Sequence, residues 1–305
     1  MDTIIQVESW DGQFWTLIGR GKGDRGVWLA EDVSGFWYAP TSTLWNSTAF
    51  QDGADYGGSR VDKRTLTFDV HILKTPGSTW EKNWSDFIRA FRTDRESKIW
   101  YETESSRRYL CVRLSKNSDM RPTIDPGRSQ YAKVTMEVVA GDPWWYEPVD
   151  TSSYETTTDT TGGGTENGTV NLYNETPIIM YPQWMFQGTA GIVWTIPDYS
   201  FGQEAKHDRP DGADATRRIV MAPTIEGEHV LVDVDPDAKN GQFNSSLDTM
   251  YYMRMNGVRF MYGVTEYTGT KQHPIVLPVS VTGAPIGAGI QLRMRRAWPT
   301  PMGLW

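Results

Sequence analysis

One cysteine, Cys111, stands in 305 residues, so no internal disulfide framework braces this chain. No run of about 18 apolar residues occurs, so no membrane-spanning helix is expected. Positive charge is scarce: 30 Lys and Arg stand against 38 Asp and Glu, for a formal net charge of −8 and a pI near 5.1. A protein that tracks nucleic acid displaces phosphate counterions with a dense positive surface. This chain has no long basic run, which argues against sequence-wide affinity for DNA or for an anionic membrane. Arg293, Arg295 and Arg296 are an example of a local basic cluster. The opening residues, Met1 to Gln6, lack a basic stretch followed by an apolar one, so no signal peptide is expected. A soluble chain made in a reducing compartment is the expectation.

Chemical motifs are equally scarce. A phosphate-cradling loop needs Gly five positions before its Gly-Lys pair and Ser or Thr after it. Gly21-Lys22 has Thr16 upstream and Gly23 downstream, so the segment 19–26 reads as a glycine-rich hairpin loop. Gly57-Gly58-Ser59-Arg60-Val61 fails the last position of a nucleophile elbow. The four histidines, His71, His207, His229 and His273, are far apart, and no His-Glu-x-x-His occurs. Asp233 to Asp237 opens like a calcium loop, but Ala238 and Asn244 occupy the positions that need Gly and Glu. An acidic strand-ending turn is the better reading. Carboxylates two apart on a strand share a face, as in Glu102/Glu104, Glu226/Glu228 and Asp233/Asp235, yet such pairs are common on solvated strands. Cys111 alternates with apolar strand positions and reads as a structural thiol. The sequons at Asn46, Asn83, Asn167, Asn174 and Asn244 mean little without a secretory signal. No catalytic, metal or cofactor site is assigned, and no enzyme activity is expected.

What the chain has in quantity is aromatics: 14 Trp, 14 Tyr and 10 Phe. Two readings fit. Aromatics are favoured in strands, and they are also enriched at interfaces, where they give large rigid contact area with a polar handle. Period-two alternation marks strands. Leu66, Phe68, Val70 and Ile72 form one face, Leu110, Val112 and Leu114 another, and Val134, Met136 and Val138 a third. Trp80, Trp84, Phe87, Ile88 and Phe91 recur at helical spacing, and Ser78 with Glu81 fits a capping box. A helix over 79–93 is predicted.

The Thr/Gly-rich stretch 151–164 is almost free of large aliphatics and reads as a linker. The expected organisation is therefore mostly β. An α+β first domain covers 1–148 with one main helix, a linker covers 149–168, and a β-sandwich covers 169–305. Strand-like runs are predicted in the second half at 178–186, 191–196, 217–221, 229–234, 250–261, 275–281 and 289–295, separated by turn dipeptides.

Aromatics also concentrate where no strand is evident. Gly35 to Pro40 and Trp45 precede a Gly/Asp-rich stretch, Trp144 and Trp145 close the first half, and Trp298 to Pro301 with Trp305 close the chain. Aromatics with few local core partners suggest docking on another surface. Trp144 and Trp145 lead directly out of a strand and are expected to fold back. For 36–45 both readings stand. Trp37, Tyr38, Trp45, Trp298 and Trp305 are the candidate protein-interaction residues.

The order of these elements resembles the distal tail (Dit) or minor tail proteins of long, non-contractile-tailed bacteriophages, particularly those infecting actinobacteria. The resemblance rests on Gly26 to Glu31, Gly35 to Pro40, Arg64 to Ile72, the Trp-rich helix, Arg107 to Leu114 and Gly141 to Trp145 in the first half. Asn174 to Ile178, His229 to Pro236, Pro274 to Met294 and Trp298 to Pro301 carry it in the second. It implies a ring-forming first domain and a galectin-like β-sandwich. It further implies a hexameric homo-oligomer at the distal end of the virion tail, made in the host cytoplasm. The implied partners are the tail tube protein, a tail-tip or tail-associated protein and the tape-measure protein. DNA would pass through the channel without specific binding, which an acidic chain suits, and no membrane insertion is implied. The sugar-binding residues of galectins are not assignable here. A rival reading is a carbohydrate-binding, receptor-recognition protein of the tail tip using Trp184 and Trp194. A third is a wall-degrading hydrolase.

Overall fold

The computed structural model describes residues 3–120, 122 and 124–303. The chain divides into two compact units. The first joins residues up to Glu147 with the C-terminal stretch that starts at Trp298, and the second spans Pro148–Ala297. The fold is mostly β, with three α-helices among the described residues.

The first unit contains β1 (Ile4–Glu8), β2 (Phe14–Ile18), β3 (Val27–Ser34), β4 (Thr41–Asn46), β5 (Asp55–Val61), β6 (Arg64–Leu73), β7 (Ser97–Glu102), β8 (Arg107–Leu114), β9 (Asp119–Met120), β10 (Tyr131–Ala140) and β11 (Trp145–Tyr146). Hydrogen bonding orders its main sheet β2-β1-β7-β8-β10-β6-β3. The two ends of that path, β2 and β3, lie against each other, so the sheet curls around a core. The alternation read from sequence is the cause. Leu66, Phe68, Val70 and Ile72 of β6 and Val134, Met136 and Val138 of β10 are fully buried on the inner face. Each such side chain contributes roughly 1.5–3 kcal/mol by leaving water. The hairpin β4–β5 belongs to neither face and forms a separate two-stranded ribbon.

Helix α1 runs Trp80–Arg89, shorter than the predicted 79–93. Its N-cap is Thr79, not Ser78: the Thr79 hydroxyl accepts from the Lys82 amide at 3.2 Å. Phe87 is fully buried against Trp15 and Phe91. Asn83, off the apolar stripe, is buried because it donates to the Leu73 carbonyl at 2.7 Å. A second, single-turn helix, α2, covers Pro126–Ser129.

The second unit contains β12 (Asp150–Glu155), β13 (Glu166–Leu172), β14 (Gln183–Phe186), β15 (Val193–Pro197), β16 (Arg218–Val220), β17 (Val230–Asp233), β18 (Phe243–Ser245), β19 (Ile275–Thr282) and β20 (Gly289–Met294). Five strands order as β12-β20-β14-β17-β18 and four as β13-β19-β15-β16. Side chains from both sheets meet in one core, so the unit is a β-sandwich.

Two expectations are corrected here. The 149–168 stretch is not a linker: β12 and β13 are strands of the two sheets. Its threonines act as hydrogen-bonding pins. Thr156 and Thr160 exchange bonds with the backbone of Ala288, Pro285 and Ala284. The Glu166 carboxylate gathers the amides of Thr157 and Thr158 and the hydroxyls of Thr157 and Tyr154, all within 2.9 Å. Those donors, led by the Thr157 amide, lower its pKa to about 2. The predicted strand at 250–261 is instead a short helix, α3 (Tyr251–Arg254), followed by a turn. Tyr251 anchors it from full burial, donating its hydroxyl to the Ala222 carbonyl. Asn256 and Gly257, both at positive φ, end it.

Candidate docking surface

The β4–β5 ribbon carries a group of exposed aromatics. Every residue of β4 is exposed, including Leu44 and Trp45, and Tyr56 of β5 is 59% exposed. Trp45 is likewise 59% exposed and meets Tyr56 edge-on, with ring centroids 5.5 Å apart. Phe50 projects fully into solvent from the tip at positive φ. A bulge between Leu44 and Trp45 adds local twist. A two-stranded hairpin is marginal in water by itself. Here it extends roughly 20 Å, given about 3.3 Å per strand residue.

The arm is fixed at its root. Asp62 donates its amide to the Pro40 carbonyl at 2.9 Å and accepts from the Ser42 hydroxyl at 3.0 Å and from Arg60. Gly35 begins the approach at φ +80, where an added Cβ would stand 2.1 Å from the Thr65 carbonyl oxygen. Phe36 is buried, while Trp37 is 42% and Tyr38 70% exposed. Trp37 meets Tyr101 edge-on at 6.0 Å. Three of the sequence candidates, Trp37, Tyr38 and Trp45, therefore cluster along one chain segment.

Trp298 does not belong to this surface. It is 5% exposed and part of the first unit's core, under the Arg108 guanidinium, which stacks 3.8 Å from its ring centre. The C-terminal segment folds back because two inward-facing arginines bind its main chain. Arg64 donates to the Pro299 carbonyl at 2.8 Å, and Arg108 donates to Thr300 at 3.1 Å and Gly303 at 2.8 Å. Burial pushes the Arg64 guanidinium down to about 10. Trp305 lies outside the described residues.

Sequence reasoning missed Leu44, Phe50, Tyr56 and both arginines. The arginines carried a signal. Arg64 stands two residues before Leu66, and Arg108 two before Leu110, each on the inward register of its strand. Trp145 is fully buried, as its exit from a strand suggested.

The carboxylate pairs have structural partners. Burial alone would raise the Glu228 pKa. Hydrogen bonds from Arg254, Thr249, Ser245 and the Ile225 amide outweigh it and lower it to about 2. Glu102 pairs with Arg107 at 3.2 Å. Asp233 and Asp235 each accept the amide two residues on, which makes the acidic turn. Among the described residues no three His, Cys, Asp or Glu group as a metal site. Trp184 and Trp194 are buried in the sandwich core, so they present no sugar-stacking face. No helix of the described residues is long and apolar enough to cross a membrane.

Comparison with known proteins fits this geometry. Residues 45–139, from mid-arm to the end of β10, match the phage tail protein RIFT-related domain. Minor tail protein Gp27 of Mycobacterium phage D29 is 28% identical, with 99% of each chain aligned. The same protein of Mycobacterium phage L5 gives the same identity and coverage. The chain is thus similar to these minor tail proteins along its whole length. Its fold is that of Dit: the structure of phage SPP1 Dit superposes with a TM-score of 0.57 at 13% identity, over 96% of this chain and 98% of that one. A chain of the phage P2 baseplate in its activated conformation superposes at 0.51 and 11% identity, over 97% and 98%. SPP1 Dit is described as a paradigm of the hub adsorption apparatus in phages infecting Gram-positive hosts.

Proposed function

We propose that this chain is a structural, non-enzymatic protein of a siphophage virion tail, placed at its distal end, where copies close into a hub ring. The observation that carries the reading is the exposed arm, 41–61, which presents Leu44, Trp45, Phe50 and Tyr56 on the unit that matches the tail-protein domain. Contiguous exposed apolar surface marks an interaction site, and a ribbon with free edges can add strands to a neighbour. Docking each arm on the next copy is a head-to-tail contact, and such contacts close into rings when the rotation permits.

Six copies is the number implied by the Dit resemblance. The ring would join the tail tube protein above to a tail-tip protein below and surround the passage used by the tape-measure protein and DNA. The net charge of −8 suits a conduit that does not trap DNA. Replacing Leu44 and Trp45 with Ser tests the reading. Buried aromatic anchors are worth about 2 kcal/mol or more each, so the subunit interface weakens roughly thirtyfold or more. Sizing of both proteins at matched concentration checks it. Equal oligomer populations would remove the arm from the assembly.

The carbohydrate-binding alternative relied on exposed Trp184 and Trp194, and both are core residues.

A further inference from the structure

The segment that returns from the second unit to complete the first ends at the root of the arm. Arg64 is the joint. One of its terminal nitrogens donates to the Pro299 carbonyl, and the other donates to the Phe36 carbonyl, each at 2.8 Å. Phe36 also accepts from the buried Trp145 indole at 3.2 Å. Phe36 lies just before the arm and Arg64 just after it, so one guanidinium bridges both ends of the root to the C-terminal segment.

A second path runs in parallel. The Tyr101 hydroxyl donates to the Met302 sulfur at 3.7 Å, and the Tyr101 ring packs on Trp37. The segment itself is held by Arg108 through Thr300, Gly303 and the Trp298 ring. The Thr300 hydroxyl donates to the Met302 carbonyl at 2.6 Å and shapes the turn that presents these acceptors.

We infer that residues 298–303 are a strap that seats the docking arm, with Arg64 and Tyr101 as positioning residues. The inference rests on the reading of 41–61 as a docking arm. Its consequence concerns timing. Translation reaches residue 298 only after the whole second unit has been made, so the arm becomes rigid only once that unit is in place. A chain that has not reached residue 298 has the arm sequence but not its seat, and it stays out of the assembly.

The test is hydrogen exchange in the Leu44→Ser, Trp45→Ser background, at a concentration where sizing shows single chains. Loss of arm docking then cannot mimic loss of the strap. Two further changes are compared, a chain ending at Ala297 and Arg108→Lys. The lysine keeps the charge but cannot fork to two carbonyls. Both are expected to speed exchange across 60–66, which includes the Asp62 amide bound to Pro40, by tenfold or more, while β17 of the second unit stays unchanged. Arg108→Lys is decisive because the hydrogen bonds it weakens go to Thr300 and Gly303 of the segment, while Arg64 and Tyr101 at the root are left intact. If it frees 298–303 yet leaves 60–66 as protected as before, the strap does not seat the arm. If it leaves 298–303 protected, Arg108 is not the clasp, and the inference fails there too. Should the root loosen as expected while the same variant with Leu44 and Trp45 restored still assembles normally, the strap stands and the arm's role in assembly falls.

Discussion

Two kinds of buried charge appear in this molecule, and they behave differently. Arg64 and Arg108 are almost wholly inaccessible and hold main-chain carbonyls of the C-terminal segment. Trp298 is the apolar half of the same arrangement. Trp298→Ala is expected to cost the first unit about 3–5 kcal/mol, as loss of a buried Trp does. Urea unfolding with probes in each unit checks this, and the second unit should keep its midpoint. Glu228 is the other kind, a buried carboxylate saturated by donors. Its folded pKa near 2 lies below the ordinary value of 4.5. It therefore contributes stability that is fully present above about pH 4.5 and is lost as pH falls towards 2. The shift corresponds to about 3 kcal/mol. Glu228→Gln should lower the second unit's stability at neutral pH and flatten its decline over that acid window. Chemical denaturation at a series of pH values measures both effects, and an unchanged acid slope would contradict the assignment.

At the scale of elements, sequence periodicity was a good guide wherever side chains alternate against a core. The inward faces of β6 and β10 follow from it directly, and so does the apolar stripe of α1. It failed where order comes from polar contacts. The 151–164 stretch looks like a linker because it lacks aliphatics, but threonine is a good strand residue whose hydroxyl can pin a neighbouring backbone. The organising group, Glu166, stands near the far end of the predicted linker, 149–168, where no apolar pattern marks it. Glu166→Ala should accelerate hydrogen exchange at 157–160 and leave β14 and β17 unaffected. The arm was half legible. Its aromatics stood out, but their exposure depends on β4 and β5 pairing with each other and with no other strand. Trp298 misled for the converse reason. Local sequence contains no partner for Trp298, because its partner is Arg108, 190 residues earlier.

For the whole molecule, the Dit fold and the full-length similarity to mycobacteriophage minor tail proteins support the proposed class, and the exposed arm is the proposed means of assembly. The acidic balance suits the proposed scaffold around a DNA passage. A ring of Dit-like subunits needs each copy to offer one projecting element and to receive one. The measurement that tests this most directly is negative-stain imaging of the purified protein at high concentration. The account predicts closed six-fold rings with a central hole, built from copies of the 34.6 kDa chain. A field of single chains, unchanged when the tail tube protein is added, would contradict it.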